Sequence, residues 1–281
     1  MDTRNYRMQI AKETLQIIEQ GFYTVNNKRI DIAPFIRQSV DTAQLYMPDA
    51  LKFLQPEVQQ SIAGLNFQTR ITVQNCTSIE AAQQLLKTGG KIGCLNFASA
   101  KNPGGGFLSG AQAQEESLAR NSTLYPTLTK FQRKMYDYNR SLTTYLYSDY
   151  MIYSPDVVFF RNDADELLPQ PFLFDILTSP AVNVGAIMQN KPSELSQVEQ
   201  TMLSRIDKIL AVFVLQKVEK IILGAWGCGV FQNKPEDVAT YFAHYLTQKG
   251  KYGKCFSEVV FAVFDKSRNQ ENIRAFENMF G

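Results

Sequence analysis

Apolar positions in the first twenty residues recur at the spacing of an α-helix. Gly21 follows at the point where such a helix is expected to end. The pattern predicts a helix over residues 5–20. Its predicted apolar positions are Met8, Ala11, Leu15 and Ile18.

Between this helix and Gln68, apolar and polar residues mix. Pro34, Pro48 and Pro56 divide the stretch into short segments. Proline is tolerated in the first turn of a helix but interrupts its interior, so we predict several short helices here. Residues 1–68 are therefore expected to form a helical layer packed against the main part of the protein.

From Thr69 onward, short strand-like segments alternate with helical ones. Arg70–Gln74 alternates as a half-buried strand does, and 91–98 is largely apolar, as in an interior strand. The other predicted strands are 151–153, 157–160, 181–184, 220–224 and 259–264. The predicted helices are 78–86, 111–118, 195–216 and 235–249. This alternation is typical of a three-layer α/β domain. We predict one domain over 1–281, with its α/β core at 69–281.

Composition restricts the chemistry. The 281 residues carry 29 Lys and Arg against 27 Asp and Glu, a net charge of +2, so nothing indicates a broad nucleic-acid-binding surface. His244 is the one histidine. It cannot supply a metal site that needs two or three imidazoles, and a Ser-His-Asp triad would have to use it. We interpret it as structural and expect the chemistry to use other groups.

The cysteines and the N-terminus predict a cytoplasmic protein. Cys76, Cys94, Cys228 and Cys255 form no Cys-x-x-Cys pair, so reduced and mostly buried thiols are expected. The first residues lack the apolar core of a signal peptide, and the apolar run 209–215 is too short for a membrane span. No membrane association is expected.

Two glycine-rich segments follow predicted strands. The first contains Gly104, Gly105 and Gly106, and the second is 224–231 (GAWGCGVF). Glycine lets backbone N–H groups approach an anion closely, and ligands of such sheets bind where strands lead into loops. Each segment can equally be a simple turn, since neither fits the Rossmann or P-loop spacing. Together they could hold a diphosphate.

Two adjacent acids, Glu115 and Glu116, follow the first glycine segment near the start of a predicted helix. Beside the anomeric carbon of a sugar, such a carboxyl can protonate a leaving oxygen and then activate water. The alternative is structural. Acids in a first helical turn favour the helix dipole, and Glu116 is placed to pair with Arg120 on the helix surface.

The segment 96–125 (NFASAKNPGGGFLSGAQAQEESLARNSTLY) resembles the microbial-type poly(ADP-ribose) glycohydrolases, a catalytic branch of the macrodomain fold. Their signature is a triple glycine followed several residues later by Gln-Glu-Glu. The segment 223–233 (LGAWGCGVFQN) resembles the diphosphate-binding loop of the family, and 259–265 (VVFAVFD) resembles its last core strand. The resemblance extends from about Thr69 to the C-terminus and implies a macrodomain-like mixed sheet flanked by helices.

Carried onto this chain, the resemblance implies that Glu116 is the catalytic carboxyl. It would donate a proton to the departing 2′-oxygen of the ribose–ribose bond and then deprotonate the attacking water. Glu115 would position the distal ribose. The remaining substrate-binding residues implied are Asn96, Ala98, Ser99, Asn102, Gly104, Gly105, Gly106, Gln114, Gly227, Cys228, Gly229, Val230, Phe231 and, for the adenine, Phe264.

The implied activity is hydrolysis of poly(ADP-ribose) with release of ADP-ribose. No metal and no cofactor are expected. The animal enzymes carry a tyrosine-bearing clasp without a recognisable counterpart here, which favours trimming from the chain end. The expected partners are ADP-ribose, its polymer and ADP-ribosylated macromolecules, without sequence-specific nucleic-acid binding. Three alternatives stay open: a hydrolase for single ADP-ribose units on protein or nucleic acid, a non-catalytic ADP-ribose-binding module, and an enzyme that processes a related conjugate such as an ADP-ribosylated base.

Overall fold

A seven-stranded mixed sheet runs through the centre of the computed structural model, which describes residues 3–281. The strands are β1 Phe22–Val25, β2 Lys28–Asp31, β3 Gln44–Tyr46, β4 Arg70–Gln74, β5 Ile92–Phe97, β6 Met151–Arg161, β7 Leu167–Ser179, β8 Lys220–Leu223 and β9 Glu258–Ala262. The order in the main sheet is β3-β6-β7-β5-β8-β9-β4, and β1 and β2 form a separate hairpin. Strands β7, β5, β8, β9 and β4 are parallel, whereas β6 and β3 are antiparallel to their neighbours.

Helices cover both faces of this sheet. They are α1 Thr3–Gln20, α2 Ala33–Thr42, α3 Ala50–Phe53, α4 Gln55–Ala63, α5 Ser78–Leu86, α6 Gln114–Asn121, α7 Leu124–Thr129, α8 Tyr138–Ser141, α9 Val184–Asn190, α10 Val198–Leu215, α11 Pro235–Leu246 and α12 Glu271–Phe280. Short 3₁₀ turns lie at Phe107–Ser109 and Pro192–Gln197, and a π-helical turn at Gln132–Asp137.

The two faces of the sheet belong to two separate hydrophobic clusters. Leu95 of β5 packs into the cluster that contains the buried faces of α10 and α11, whereas Ile92 and Cys94 pack into the cluster of α5, α6 and α7. Strand side chains alternate between faces, so a strand covered on both sides must be apolar throughout. The three-layer α/β arrangement predicted from the sequence is confirmed.

The N-terminal layer is less helical than predicted. It contains the β1–β2 hairpin, and β3 extends the edge of the main sheet. The hairpin turn is Asn26-Asn27, with φ of +52° and +59°. Asparagine tolerates these left-handed angles, which two-residue hairpin turns require, so this pair is the sequence signal for the hairpin. Met1 and Asp2, which the predicted layer includes, lie outside the described residues.

Helix α1 is present where predicted, but its buried face differs. The buried side chains are Ile10, Ala11, Thr14 and Ile17, whereas Met8 is exposed. The hydroxyl of Thr14 donates to the carbonyl of Arg120 at 2.6 Å, which satisfies it within the core. A pattern that counts only apolar residues does not recover a face that includes this threonine.

The strand predictions need two further corrections. Residues 181–184 are not a strand, because Val184 begins α9. The strand in this region is β7, whose first half carries two prolines and a glutamine (Pro169, Gln170 and Pro171). The predicted strands 151–153 and 157–160 are one strand, β6, interrupted by an irregularity between Ser154 and Val157.

Strand 70–74 and helix 78–86 are confirmed, and helix α12 was not predicted.

The thiol prediction is confirmed for three cysteines. All four are free, and Cys76, Cys94 and Cys255 are buried, while Cys228 is half-buried. Among residues 3–281, no helix combines the length and apolar character that crossing a bilayer requires.

Gly93 of β5 tests the tight packing of the central strand. A Cβ atom there would lie 2.6 Å from Phe213 Cε1 and 3.0 Å from Val218 Cγ1, so Gly93→Ala requires α10 to move. We expect the free energy of unfolding to fall by about 1–3 kcal/mol, measured by urea denaturation. The control is Gly64→Ala, since Gly64 has φ of −82° and its nearest atom to a Cβ is 3.6 Å away. Equal stability of the two variants would contradict the packing argument.

Candidate active site

The two glycine-rich segments meet at the carboxyl ends of neighbouring strands. Strands β5 and β8 pair in parallel, and the first segment follows β5 while the second follows β8. Gly224 lies at the junction: a Cβ there would be 2.9 Å from Phe97 Cζ and 2.5 Å from the carbonyl oxygen of Ala262. Only a residue without a side chain lets the second loop leave the sheet here. The two loops therefore leave the same edge of the sheet side by side, as their positions after strands predicted.

Gln114 attaches the start of α6 to β5. Its side-chain oxygen accepts from the N–H of Phe97 at 2.9 Å, and its nitrogen donates to the carbonyl of Leu95 at 2.9 Å and to Ser78 Oγ at 3.0 Å. This side chain thus continues the hydrogen bonding of the strand. Both polar atoms of this side chain bond within the protein and hold the start of α6, directly before the two glutamates, against β5, while its contact with substrate stays a prediction.

Glu115 is buried, with 2% of its surface exposed. Its Oε2 accepts from the N–H of Ser99 at 2.6 Å and its Oε1 accepts from Asn96 Nδ2 at 3.2 Å. Asn96 is itself buried and also donates to Thr178 Oγ1 at 3.2 Å. Burial raises the pKa of Glu115 to about 8, and the negative charge of Glu116 adds to this rise, whereas the hydrogen bond from Ser99 opposes it. The raised pKa favours the protonated form of Glu115 up to a higher pH than for an exposed glutamate.

Glu116 is half-buried and faces the glycine loop. Its Oε1 accepts from the N–H of Gly106 at 2.9 Å. Gly105, at φ +60°, passes between the two acids: a Cβ there would overlap Glu116 Oε1 and lie 3.1 Å from Glu115 Oε2. A glycine is required here on both grounds, the left-handed φ and the contact with two carboxyl groups. The site thus has two adjacent carboxyls in different surroundings, one buried and one facing the cleft.

The surface ion pair between Glu116 and Arg120, the structural alternative considered for this acid, does not form. Arg120 is buried and lies 3.9 Å from Asp165, and it donates to the carbonyl of Ala111 at 3.0 Å and to Gln112. Among the ion pairs of residues 3–281, none joins Arg120 to Glu116. The carboxyl of Glu116 instead faces Gly105 and Gly106.

Buried side chains attach the second loop to the end of β7 and the segment that follows it. Trp226 is fully buried and donates from Nε1 to the carbonyl of Ser179 at 3.0 Å, so it anchors the loop to the end of β7. Asn233 Nδ2 donates to the carbonyls of Val182 and Gly227 at 2.8 and 3.0 Å. Gly227 has φ of +80°. Asn233 was not predicted, although it ends the glycine-rich motif in the sequence.

The front of the second loop is open. A Cβ on Gly229 would meet nothing within 4 Å, and 85% of Val230 is exposed. Cys228 is half-buried, and burial raises the pKa of its thiol to about 12. This keeps the thiol protonated, a state that disfavours nucleophilic attack.

Three side chains absent from the predicted site connect the loops. Lys101 Nζ, from the first loop, lies 5.9 and 6.0 Å from the ring centroids of Tyr145 and Tyr147. Tyr147 in turn lies 5.9 Å from the ring of Phe231, from the second loop. Its φ is +59°, and its hydroxyl accepts from Asn183 Nδ2 at 3.2 Å. The left-handed turn at Tyr147 directs its ring toward Phe231, a placement that only the folded chain shows.

The other predicted binding residues occupy the edges of the same region. Ala98 is buried directly after β5, and Ser99 Oγ accepts from the N–H of Asn102 at 3.1 Å. Asn102 is exposed, and its side-chain oxygen accepts from Arg140 at 3.1 Å. Phe264 lies two residues beyond the end of β9, and not in the strand as predicted; it is 54% exposed and lies under Lys266. Its contact with adenine stays a prediction.

Within the described part of the chain, no hydrogen bond, ion pair or ring contact joins His244 to the two glutamates or to either glycine loop. It lies on the exposed side of α11, with its ring edge-on to Tyr245 at 4.6 Å. Across residues 3–281, no three His, Cys, Asp or Glu side chains are grouped in a way that suits a metal ion.

The comparison with known proteins now decides the family. The family model for the microbial-type PARG catalytic domain, PARG being poly(ADP-ribose) glycohydrolase, matches residues 11–162, which include the first glycine loop and both glutamates. The crystal structure of the PARG from Thermomonospora curvata is 39% identical, covers 98% of this chain and 100% of that chain, and has a TM-score of 0.89. This chain belongs to the microbial-type PARG family. The resemblance stated from the motifs is thereby confirmed.

Two further PARG structures carry ligands. The Thermomonospora curvata PARG bound to the inhibitor ADP-HPD is 39% identical, covers 98% of this chain and 99% of that chain, and has a TM-score of 0.88. The Deinococcus radiodurans PARG in complex with ADP-ribose is 38% identical, with coverages of 88% and 96% and a TM-score of 0.80. A search of curated proteins found no match. The likeness to these PARG structures confirms the predicted fold class.

The protonation of Glu115 is testable through stability. Its raised pKa contributes stability that is present below about pH 4.5 and lost as the pH rises through about 8. We expect this loss to be on the order of a few kcal/mol and to be much smaller in Glu115→Gln, which does not titrate. Urea denaturation between pH 5 and 9 measures it, with the exposed Glu199→Gln as control. Identical pH dependence in Glu115→Gln and the unaltered protein would refute a raised pKa.

Proposed function

We propose that this protein hydrolyses the ribose–ribose O-glycosidic bonds of poly(ADP-ribose) and releases ADP-ribose. The observation that carries the proposal is the contact of one glycine, Gly105, with two adjacent carboxyl groups in different surroundings. A sugar bound along the glycine backbone would have its anomeric carbon beside both acids. The family assignment and the ADP-ribose bound to the Deinococcus radiodurans relative support the same substrate class.

In the proposed mechanism Glu116 carries out the proton transfers. As an acid it protonates the 2′-oxygen of the departing unit while positive charge develops at the anomeric carbon. As a carboxylate it then takes a proton from the attacking water. Its half-buried position and its hydrogen bond with Gly106 support this assignment, because the group is both held in place and accessible from the cleft.

Glu115 has a different proposed role. Ser99 and Asn96 hold both of its oxygens, so its position is fixed before substrate arrives. We assign it the task of orienting the distal ribose through hydrogen bonds. A pre-oriented group of this kind lowers the entropy cost of aligning the scissile bond with Glu116. Asn96 is fully buried and therefore has no surface for substrate, so we assign it the positioning of Glu115 through their hydrogen bond.

The diphosphate is proposed to lie between the two loops. Backbone N–H groups beside Gly227 and Gly229 provide donors without side-chain obstruction, and the open space at Gly229 gives access. Lys101 provides the charge. Its ammonium group lies near two tyrosine rings, and no ion pair occupies it among residues 3–281. Local placement of positive charge, rather than a broad basic surface, is consistent with a net charge of +2 for a protein that binds an anionic ligand.

We further propose that cleavage proceeds from the chain end. The sequence lacks a recognisable counterpart of the tyrosine-bearing clasp of the animal enzymes, and its basic residues are not clustered into a stripe that would follow a polymer. The predicted cytoplasmic location also stays a proposal, supported by the four free cysteines.

Substrate class is tested with radiolabelled poly(ADP-ribose). We expect release of ADP-ribose as the first product, without short oligomers, because cleavage begins at the end of the chain. Mono-ADP-ribosylated protein and ADP-ribosylated DNA are assayed in parallel at equal concentration. Faster release from either of these than from polymer would favour the mono-ADP-ribosyl hydrolase or the base-conjugate alternative. Intact polymer with confirmed ADP-ribose binding would leave the binding-module alternative.

The role of Glu116 is tested with Glu116→Gln. The amide keeps an oxygen that accepts from Gly106 but cannot exchange a proton, so kcat should fall by about 10²–10⁴-fold while ADP-ribose affinity is retained. Kinetics on polymer and calorimetric titration with ADP-ribose measure the two quantities. The exposed Glu199→Gln serves as the matched control. Unaltered kcat in Glu116→Gln would assign the proton transfers to another group.

A further inference from the structure

The N-terminal helix α1 contacts the first glycine loop directly, through residue pairs that are 103 and 105 positions apart in sequence. Arg7 Nε donates to the carbonyl of Gly110 at 2.7 Å, and Arg4 Nε donates to the carbonyl of Ser109 at 2.9 Å. Charged donors of this kind make stronger hydrogen bonds than neutral ones. Both carbonyls belong to the segment 106–111, which begins at the glycine whose N–H binds Glu116.

This segment is a closed loop. The N–H of Ala111 donates to the carbonyl of Gly106 at 3.1 Å, so the two ends of the segment are joined. Gly106 donates to Glu116 at one end, and Gly110 accepts from Arg7 near the other. A movement of α1 therefore displaces the amide group that holds the catalytic carboxyl.

The contact is also closely packed. A Cβ on Gly110, at φ +77°, would lie 2.5 Å from the carbonyl oxygen of Arg4. Below it, Phe107 is fully buried in a cluster with Ala11 of α1 and Ala119 of α6. The ring of Phe107 supports the loop, since a Cβ on Gly104 would lie 3.0 Å from it. The backbone of the loop is thus enclosed between α1 and α6.

Helix α1 holds the acid-bearing helix as well. Thr14 donates to the carbonyl of Arg120, near the end of α6, at 2.6 Å. One rigid helix therefore contacts both parts of the site whose relative position matters for the chemistry. Arg7 of α1 binds the glycine loop, and Thr14 of α1 binds α6, the helix that carries Glu115 and Glu116.

We propose that Arg7 is a positioning residue for the glycosidase reaction: through the Gly110 carbonyl it holds segment 106–111 so that the Gly106 N–H stays on Glu116. The inference rests on the proposed function of the site. Arg7 touches neither the carboxyls nor the cleft in this arrangement, so its effect is on the alignment of Glu116. It should therefore change the rate of the chemical step more than the binding of ADP-ribose.

The test compares Arg7→Ala, Arg7→Lys and the control Lys12→Ala, which alters an exposed position of the same helix. We expect Arg7→Ala to lower kcat on poly(ADP-ribose) by about tenfold, because small misplacements of a catalytic group have large effects on rate. The Kd for ADP-ribose should change by less than about twofold. Amide exchange at Gly106, measured by NMR, should accelerate. Arg7→Lys retains a donor and should recover part of kcat, and Lys12→Ala should match the unaltered protein.

Several results would overturn the proposal. They are unchanged kcat in Arg7→Ala, unchanged exchange at Gly106, and a loss of kcat accompanied by equal losses of ADP-ribose affinity and thermal stability. The last of these would mean general destabilisation. Failure of the unaltered protein to release ADP-ribose from polymer would instead refute the proposed function. In that case exchange at Gly106 in Arg7→Ala still decides whether the contact with α1 holds the loop.

Discussion

The carboxyl group of Glu115 is buried where strand β5 ends, and the surrounding structure is organised to hold it there. An unpaired carboxylate in such a place is so unfavourable that it becomes neutral instead. Here the N–H of Ser99 and the amide of Asn96 hold its two oxygens, and both come from the strand end itself. Gln114 attaches the preceding turn to the same strand. The central strand therefore defines where the acids can lie.

This placement also determines which residues can surround the acids. Gly105 passes so close to both carboxyls that a side chain has no room, and Gly106 provides the N–H for Glu116. One backbone segment thus excludes side chains from the pair of acids and donates a hydrogen bond to one of them. The difference between a buried acid and a cleft-facing acid follows from the helix geometry, because adjacent helical residues point about 100° apart. Adjacent glutamates can therefore take distinct roles.

The loops owe their shape to residues far from them in the chain. Trp226 reaches back to the end of β7, Asn233 connects the second loop to Val182, and α1 encloses the first loop from the outside. Glycine-rich loops lose more conformational freedom on ordering than other segments, so such external contacts are needed to fix them. The N-terminal layer is in this sense part of the active site, although its sequence carries no catalytic motif.

Local sequence patterns are enough to predict the three-layer α/β class, the two glycine loops and the pair of acids. These depend on local spacing: continuous apolar strands, glycines after strands, and adjacent glutamates in a first helical turn. The tertiary structure alone decided the rest. Strand β7, with polar residues among its apolar ones, is recognisable only once its neighbours are known. The contacts of Arg7, Lys101 and Tyr147 join distant segments, and the burial that separates Glu115 from Glu116 exists only in the folded chain. Periodicity reports what each segment forms, whereas burial and long-range hydrogen bonds depend on what it packs against.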